Sequence, residues 1–180
     1  MRAFLGISVP DELKNKIISM QKKLVGYDIK LVEPQNLHFN LKFFSDISDE
    51  DAEKLKTTLE KVCKNFKPFE INISGIGAFP NPDYIRVAWV GVKDGREKLM
   101  SLADAIQDSA LSIGFEKERF EPHLTLGRVR SGRDKDKLFE TLKKLDEIEV
   151  GKMKVDKITL FRSKIGPNGP AYDQFFSLEL

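Results

Sequence analysis

Cysteine is almost absent: Cys63 is the only one in 180 residues. No intramolecular disulfide framework can hold the chain, and such thiol usage suits an intracellular protein. Long hydrophobic runs are missing too. The apolar stretch in the opening "MRAFLGISVPDELKNK" is too short for a signal sequence, and no run approaches the roughly 18 apolar residues of a membrane span. The chain thus reads as soluble and cytoplasmic, with no membrane partner. Charge of one sign is not in excess. The net charge is +2, which allows a local basic cleft for a partner such as an RNA end without imposing one. There is no Gly-rich phosphate loop, no low-complexity tract and no disorder-like composition. With 41% hydrophobic residues the chain can bury one domain, or two small lobes sharing a core. Histidine is equally sparse, with only His38 and His123.

Against these absences stands a regular alternation of periods. Four segments carry the apolar stripe of amphipathic helices. "PDELKNKIISMQKKLVG" runs from Pro10 to Gly26, with Leu13, Ile17, Met20 and Leu24 on its stripe. "SDEDAEKLKTTLEKVCKNF" opens on Ser48 as N-cap and buries Leu55, Leu59 and Val62, extended by Ala52 and Phe66. "GREKLMSLADAIQDSALSIG" buries Leu99, Leu102, Ile106 and Ile113 and stops at Gly114, and "RDKDKLFETLKKLDEI" buries Leu138, Leu142 and Leu145. Seven strands lie between and around them: "RAFLGIS", "NLHFNLKFF", "FEINISGIGAF", "IRVAWVGV", "HLTLGRV", "MKVDKITLF" and "DQFFSLEL". The turns "FPNPDY" and "IGPNGPAY" precede a last strand in each half. The chain is α/β or α+β.

His38 and His123 are 85 residues apart, and laying the chain over itself at that offset matches helix with helix and strand with strand. Two copies of one supersecondary unit, facing each other about an approximate two-fold axis, put the histidines in equivalent places. Residues i and i+2 of a strand share a face. His38 therefore shares one with Asn40, and His123 one with Thr125, while Phe39, Leu41, Leu124 and Leu126 lie opposite. Two imidazoles across a groove suit a reaction that needs one general acid and one general base. Asn40 and Thr125 can hydrogen-bond an anion, and Lys42 and Arg128 can neutralise a phosphate. Lys42 has the parity of His38 and points into the groove. Arg128 has the wrong parity unless a bulge at Gly127 flips the strand. The competing readings are ordinary buried histidines or a metal site. Two histidines without a Cys or carboxylate cluster make a poor zinc site, and Cys63, on an apolar helix face, reads as inert core.

At these residues the chain resembles the two-histidine (2H) phosphoesterases, and within them the RNA 2′,3′-cyclic phosphodiesterase / 2′-5′ RNA ligase family. The resemblance rests on "HFNL" at 38–41 and "HLTL" at 123–126, with the flanks "EPQNLHFNLKFF", "GIGAFPNPDYIRVAWVGV" and "RFEPHLTLGR", and spans essentially the whole chain. It implies an α+β fold, a single bilobal domain over 1–180, with two pseudo-symmetric lobes, each with an antiparallel sheet and flanking helices, around a central groove. It implies hydrolysis of a terminal 2′,3′-cyclic phosphate on RNA to a 2′-phosphomonoester, tRNA-half-like ends among the substrates, with 2′-5′ ligation as the reverse. His38 is then the proton donor, His123 the proton acceptor, and Asn40, Thr125 and Arg128 phosphate contacts. No cofactor and no metal are implied, and a monomer is the default. Asn40 departs from the Thr or Ser usual at its position, a change that bears on rate and on the balance between hydrolysis and ligation. A non-catalytic module that binds RNA ends in the same groove is the alternative.

Overall fold

A computed structural model describes residues 1–167 and 169–180. Along the chain run β1 (Ala3–Ser8), α1 (Asp11–Lys22), β2 (Ile29–Leu31), a 3-10 turn at Pro34–Asn36, β3 (His38–Phe44), α2 (Asp49–Cys63), β4 (Phe69–Asn81), β5 (Tyr84–Val92), α3 (Arg96–Ser112), β6 (His123–Val129), α4 (Lys135–Leu145), β7 (Glu149–Val155), β8 (Lys157–Gly166) and β9 (Gly169–Glu179). The fold class is α+β. In α2 the Ser48 hydroxyl accepts the Asp51 N–H at 3.0 Å, and Asp49, Glu50 and Asp51 complement the positive end of the helix dipole. The buried face of α2 comprises Ala52, Leu55, Leu59 and Cys63, so the cysteine takes the core place expected of Val62, which is only partly buried. Ile113 is likewise partly buried, just past the end of α3.

Two strand expectations change. "MKVDKITLF" is not one strand: β7 ends at Val155 and β8 begins at Lys157. Asp156 between them gives its carbonyl to the Leu180 N–H at 2.8 Å. The short β2, three residues long, adds to the strands expected from the sequence. In the turn "IGPNGPAY", Asn168 lies outside the described residues.

The strands pair in the order β7-β4-β5-β6-β3-β1-β8-β9, with β2 added to β6, and the pairings are antiparallel. The middle of this path is its weakest link, because β3 and β6 are bridged only through Phe39 and Leu124. One side of the seam holds β6, β5, β4 and β7, the other β3, β1, β8 and β9. Neither lobe is a contiguous half of the chain. β4 follows α2 yet pairs with β5 and β7, and β8 follows β7 yet pairs with β1. The helices interleave as well: α1 leaves β1 but packs on β6 and β7, and α3 leaves β5 but packs on β3 and α2. Phe39, Leu41, Leu124 and Leu126 are buried beneath the seam. Among the described residues no helix is long and apolar enough to cross a membrane.

Candidate active site

The seam sets the site. With Phe39 opposite Leu124, the antiparallel register continues with His38 beside Thr125 and Asn40 beside His123, all four on the face turned away from the core. The two histidines are diagonal neighbours across the join, near enough for charge on His123 to disfavour charge on His38.

Each imidazole is fixed by its own backbone. His38 Nδ1 lies 2.6 Å from the Asn36 carbonyl oxygen, and His123 Nδ1 lies 2.6 Å from that of Glu121. A carbonyl oxygen only accepts, so Nδ1 carries the proton in both rings. Nε2 is thereby left as the nitrogen with a free lone pair in the neutral form. The 3-10 turn before β3 and the Glu121–Pro122 approach to β6 deliver these carbonyls. Aromatic rings hold the imidazoles from the sides. Phe4 stacks on His38 at 4.3 Å between centroids, and Tyr172 meets it edge-on at 5.4 Å. Phe79 meets His123 edge-on at 4.9 Å, with Trp89 at 6.1 Å. Phe4 reaches His38 across Gly6, where a Cβ would come within 2.8 Å of the Phe39 carbonyl and 3.1 Å of the Phe4 ring. A cavity of about 270 Å³ opens beside His38, its walls including Ser8, Gln35, Phe161 and Tyr172.

This apolar setting shapes titration. Burial lowers the His38 pKa to about 4, against the opposing pull of the Asn36 carbonyl, and the nearby His123 adds to the depression. Burial lowers His123 as well. There the Glu121 carbonyl and carboxylate oppose the shift, while Arg128 adds to it. Both rings are therefore neutral at pH 7 in the free protein. Among the described residues, no group of three or more His, Cys, Asp or Glu side chains converges as a metal site would require.

The cations divide. Between Thr125 and Gly127 the partner strand β5 advances by one residue, from Trp89 to Ala88, so Leu126 is an extra residue in β6. That bulge flips the strand beyond it and returns Arg128 to the face of His123 and Thr125. Arg128 is exposed there, and its charge is felt by both His123 and Tyr172. The extra residue is Leu126, one place before the glycine that hinted at it.

Strand β3 has the matching irregularity. Asn40 pairs with Gly6 and Lys42 with Leu5, which leaves Leu41 as the extra residue. Here the flip removes a cation from the groove, and the assignment of Lys42 as a phosphate contact is corrected. Lys42 is 3% exposed, its Nζ donates to the Glu116 carbonyl at 2.8 Å, and it lies 3.5 Å from Glu118 Oε2. Phe43 takes the groove position instead, five residues after His38 as Arg128 is after His123, and the Arg2 guanidinium covers its ring at 5.3 Å. Arg2 also acts on the Tyr172 hydroxyl, so the opposite lobe presents a cation from β1's end rather than from β3. Arg2, Phe4 and Tyr172 join the site without a signal in the sequence. Equal spacing after the two histidines was the signal that could have found Phe43.

Asn40 and Thr125 are both partly buried. The Asn40 Oδ1 is sealed from solvent without a donor among the described residues, an arrangement that costs about 1–3 kcal/mol until a donor arrives.

Comparison with known proteins gives the chain's family and fold. The model of the 2′-5′ RNA ligase superfamily matches residues 9–166. A Methanothermobacter thermautotrophicus protein is 40% identical over 175 residues, covering 96% of this chain and 95% of its own. A Methanocaldococcus jannaschii protein is 37% identical over 174 residues, covering 96% and 97%. Both are named RNA 2′,3′-cyclic phosphodiesterase. Among solved structures, a Thermus thermophilus protein superposes with a TM-score of 0.82 at 24% identity, over 100% of this chain and 98% of the other. E. coli LigT complexed with 3′-AMP superposes at 0.81 and 24%, over 99% and 97%. These two likenesses establish the shared fold.

Proposed function

The chain belongs to the 2′-5′ RNA ligase superfamily, and on that premise we propose that it hydrolyses the 2′,3′-cyclic phosphodiester at an RNA 3′ end to a 2′-phosphomonoester. The observation that carries the proposal is the pair of imidazoles on one groove face, each with Nδ1 bound to a carbonyl and Nε2 free. A hydrolase of this kind needs two proton relays on opposite sides of phosphorus and a positive contact for the non-bridging oxygens.

The reaction follows from those parts. His123, kept neutral by burial and by Arg128, takes a proton from water at Nε2 as the water oxygen bonds to phosphorus. The bond from phosphorus to the ribose 3′ oxygen breaks, and His38 delivers a proton to that oxygen. Arg128 and the Thr125 hydroxyl hold the phosphate oxygens, and the Asn40 amide turns a donor to the same group. His38 is neutral in the free protein, so the proton it gives is acquired with the substrate: the phosphate's negative charge beside the ring favours imidazolium and offsets the burial. Replacing water by a 5′-hydroxyl runs the same steps toward a 2′-5′ bond. Single-stranded ends of tRNA-half type are suitable substrates, acted on by a monomer in the cytoplasm.

The test is product analysis on a short RNA ending in a 2′,3′-cyclic phosphate, with EDTA present, for the parent and for His38→Ala and His123→Ala. A 2′-phosphate product is expected from the parent, and each substitution lowers turnover by about 10²–10⁴-fold. Tight binding of this RNA without turnover by the parent would replace the proposal with a module that only binds RNA ends.

A further inference from the structure

Beyond Arg128 lies a group of cations that the reaction at the histidines does not use. Arg130 follows it two residues along the chain, also exposed, and Arg86 neighbours Val87, the β5 residue that pairs with Arg128. Past the end of β6, Ser131, Gly132 and Lys135 at the start of α4 close a hollow of about 170 Å³ whose walls include Tyr84, Arg86 and Arg130. Among the described residues, none of Arg86, Arg130 and Lys135 forms an ion pair with a carboxylate. Asp83 is the acid on the hollow's wall, and it pairs with none of them. Three unpaired cations around one concavity leave a positive potential that an anion would relieve.

Tyr84 narrows the kind of anion. Its side chain is 55% exposed. The Arg86 guanidinium lies 5.1 Å from its ring centroid, and Nε and Nη2 donate to its hydroxyl at 3.1 and 2.7 Å. The ring is thus held at its hydroxyl, with much of its surface available to a planar partner. A fixed aromatic surface beside unpaired cations matches one repeat of single-stranded nucleic acid, a base with its phosphate. Position fits as well. A cyclic phosphate closes the 3′ end of a strand, so the rest of the RNA continues from that nucleotide through its 5′ phosphate. Val129, the residue after Arg128, is on the hollow's wall, so the hollow continues along β6 from the cation assigned to the reacting phosphate.

We infer that this hollow is a second phosphate subsite, which takes the backbone 5′ to the terminal nucleotide through Arg86, Arg130 and Lys135, with Tyr84 stacking on a base. The inference rests on the cyclic phosphodiesterase reading of the histidine groove. It makes the enzyme favour an oligonucleotide end over a free nucleoside 2′,3′-cyclic phosphate.

The test compares adenosine 2′,3′-cyclic phosphate with a tetranucleotide RNA bearing the same end, in the parent and in an Arg86→Ala/Arg130→Ala variant. For the tetranucleotide, kcat/KM falls about tenfold or more in the variant, while the mononucleotide value stays within about twofold. The parent's preference for the tetranucleotide weakens between about 50 and 200 mM salt, and the variant's salt dependence is shallower. Equal losses on both substrates, or none on either, overturn the subsite. A parent that turns over neither substrate sinks the phosphodiesterase reading instead. The subsite is then judged by fluorescence anisotropy of a 5′-labelled tetranucleotide ending in a 2′-phosphate. Affinity about tenfold weaker in the variant supports it, and equal affinity overturns it.

Discussion

His38 shows what a single partly buried ring does to the whole protein's response to acid. Its pKa is about 4 in the fold and about 6.5 in an unfolded chain. Above pH 6.5 both states hold it neutral and it contributes no pH dependence. As pH falls from 6.5 to 4, the unfolded chain binds a proton that the folded chain refuses, so stability drops through that window. The drop attributable to His38 reaches roughly 3 kcal/mol by pH 4. Urea unfolding at pH 7.5 and 4.5 measures it: His38→Gln is expected to lose distinctly less stability between the two than the parent. An equal loss would mean that His38 titrates normally. The two histidines and Thr125 were legible in the sequence because period-two alternation needs no partner strand to be read. Phe4 and Tyr172, which create the apolar setting of His38, were not. They lie in β1 and β9, far along the chain, and only the folded sheet brings them to the ring.

At the scale of one element, a bulge decides which cation belongs to the site. Leu41 in β3 and Leu126 in β6 are each one residue too many for the neighbouring strand. The same irregularity buries Lys42 and exposes Arg128. The two residues are therefore expected to fail differently. Arg128→Ala lowers kcat/KM by about 10²-fold, through lost charge at the phosphate, with an unchanged thermal midpoint. Lys42→Ala leaves the Glu116 carbonyl without its donor and a gap beneath Phe44, costing about 1–3 kcal/mol of stability, with activity per folded molecule unchanged. Thermal melts beside steady-state kinetics would separate them, and a catalytic defect in folded Lys42→Ala would return Lys42 to the groove. Helices and long strands could be read from the sequence because their apolar periods are local. β2 could not, since three residues hold no period. Nor could the break at Asp156, which no glycine or proline marks. A bulge is a mismatch between two strands, and Leu41 carries no trace of it.

The whole molecule is held together by exchange rather than by its seam. A single bridged pair, Phe39 with Leu124, joins the strands of the two lobes, too little to make them one cooperative body. The crossing elements supply the rest. The buried residues of α1, including Ile17 and Met20, lie against β6 and β7, although α1 leaves β1 in the other lobe, and α3 crosses the opposite way to β3. The buried residues of both lobes form one continuous cluster that includes Ile17, Phe39, Ile106 and Leu124. Neither lobe keeps a complete core if the other opens, so the protein is expected to unfold in one step. Trp89, the sole tryptophan, reports on β5 in one lobe, and far-UV circular dichroism reports on all the helices. Their denaturation curves should superimpose. Leu124→Ala should shift both by the same amount, about 2–5 kcal/mol. A fluorescence transition displaced from the dichroism transition would mean that the lobes open separately. The groove between the histidines would then be a hinge instead of the fixed site that the proposed paired proton transfer requires.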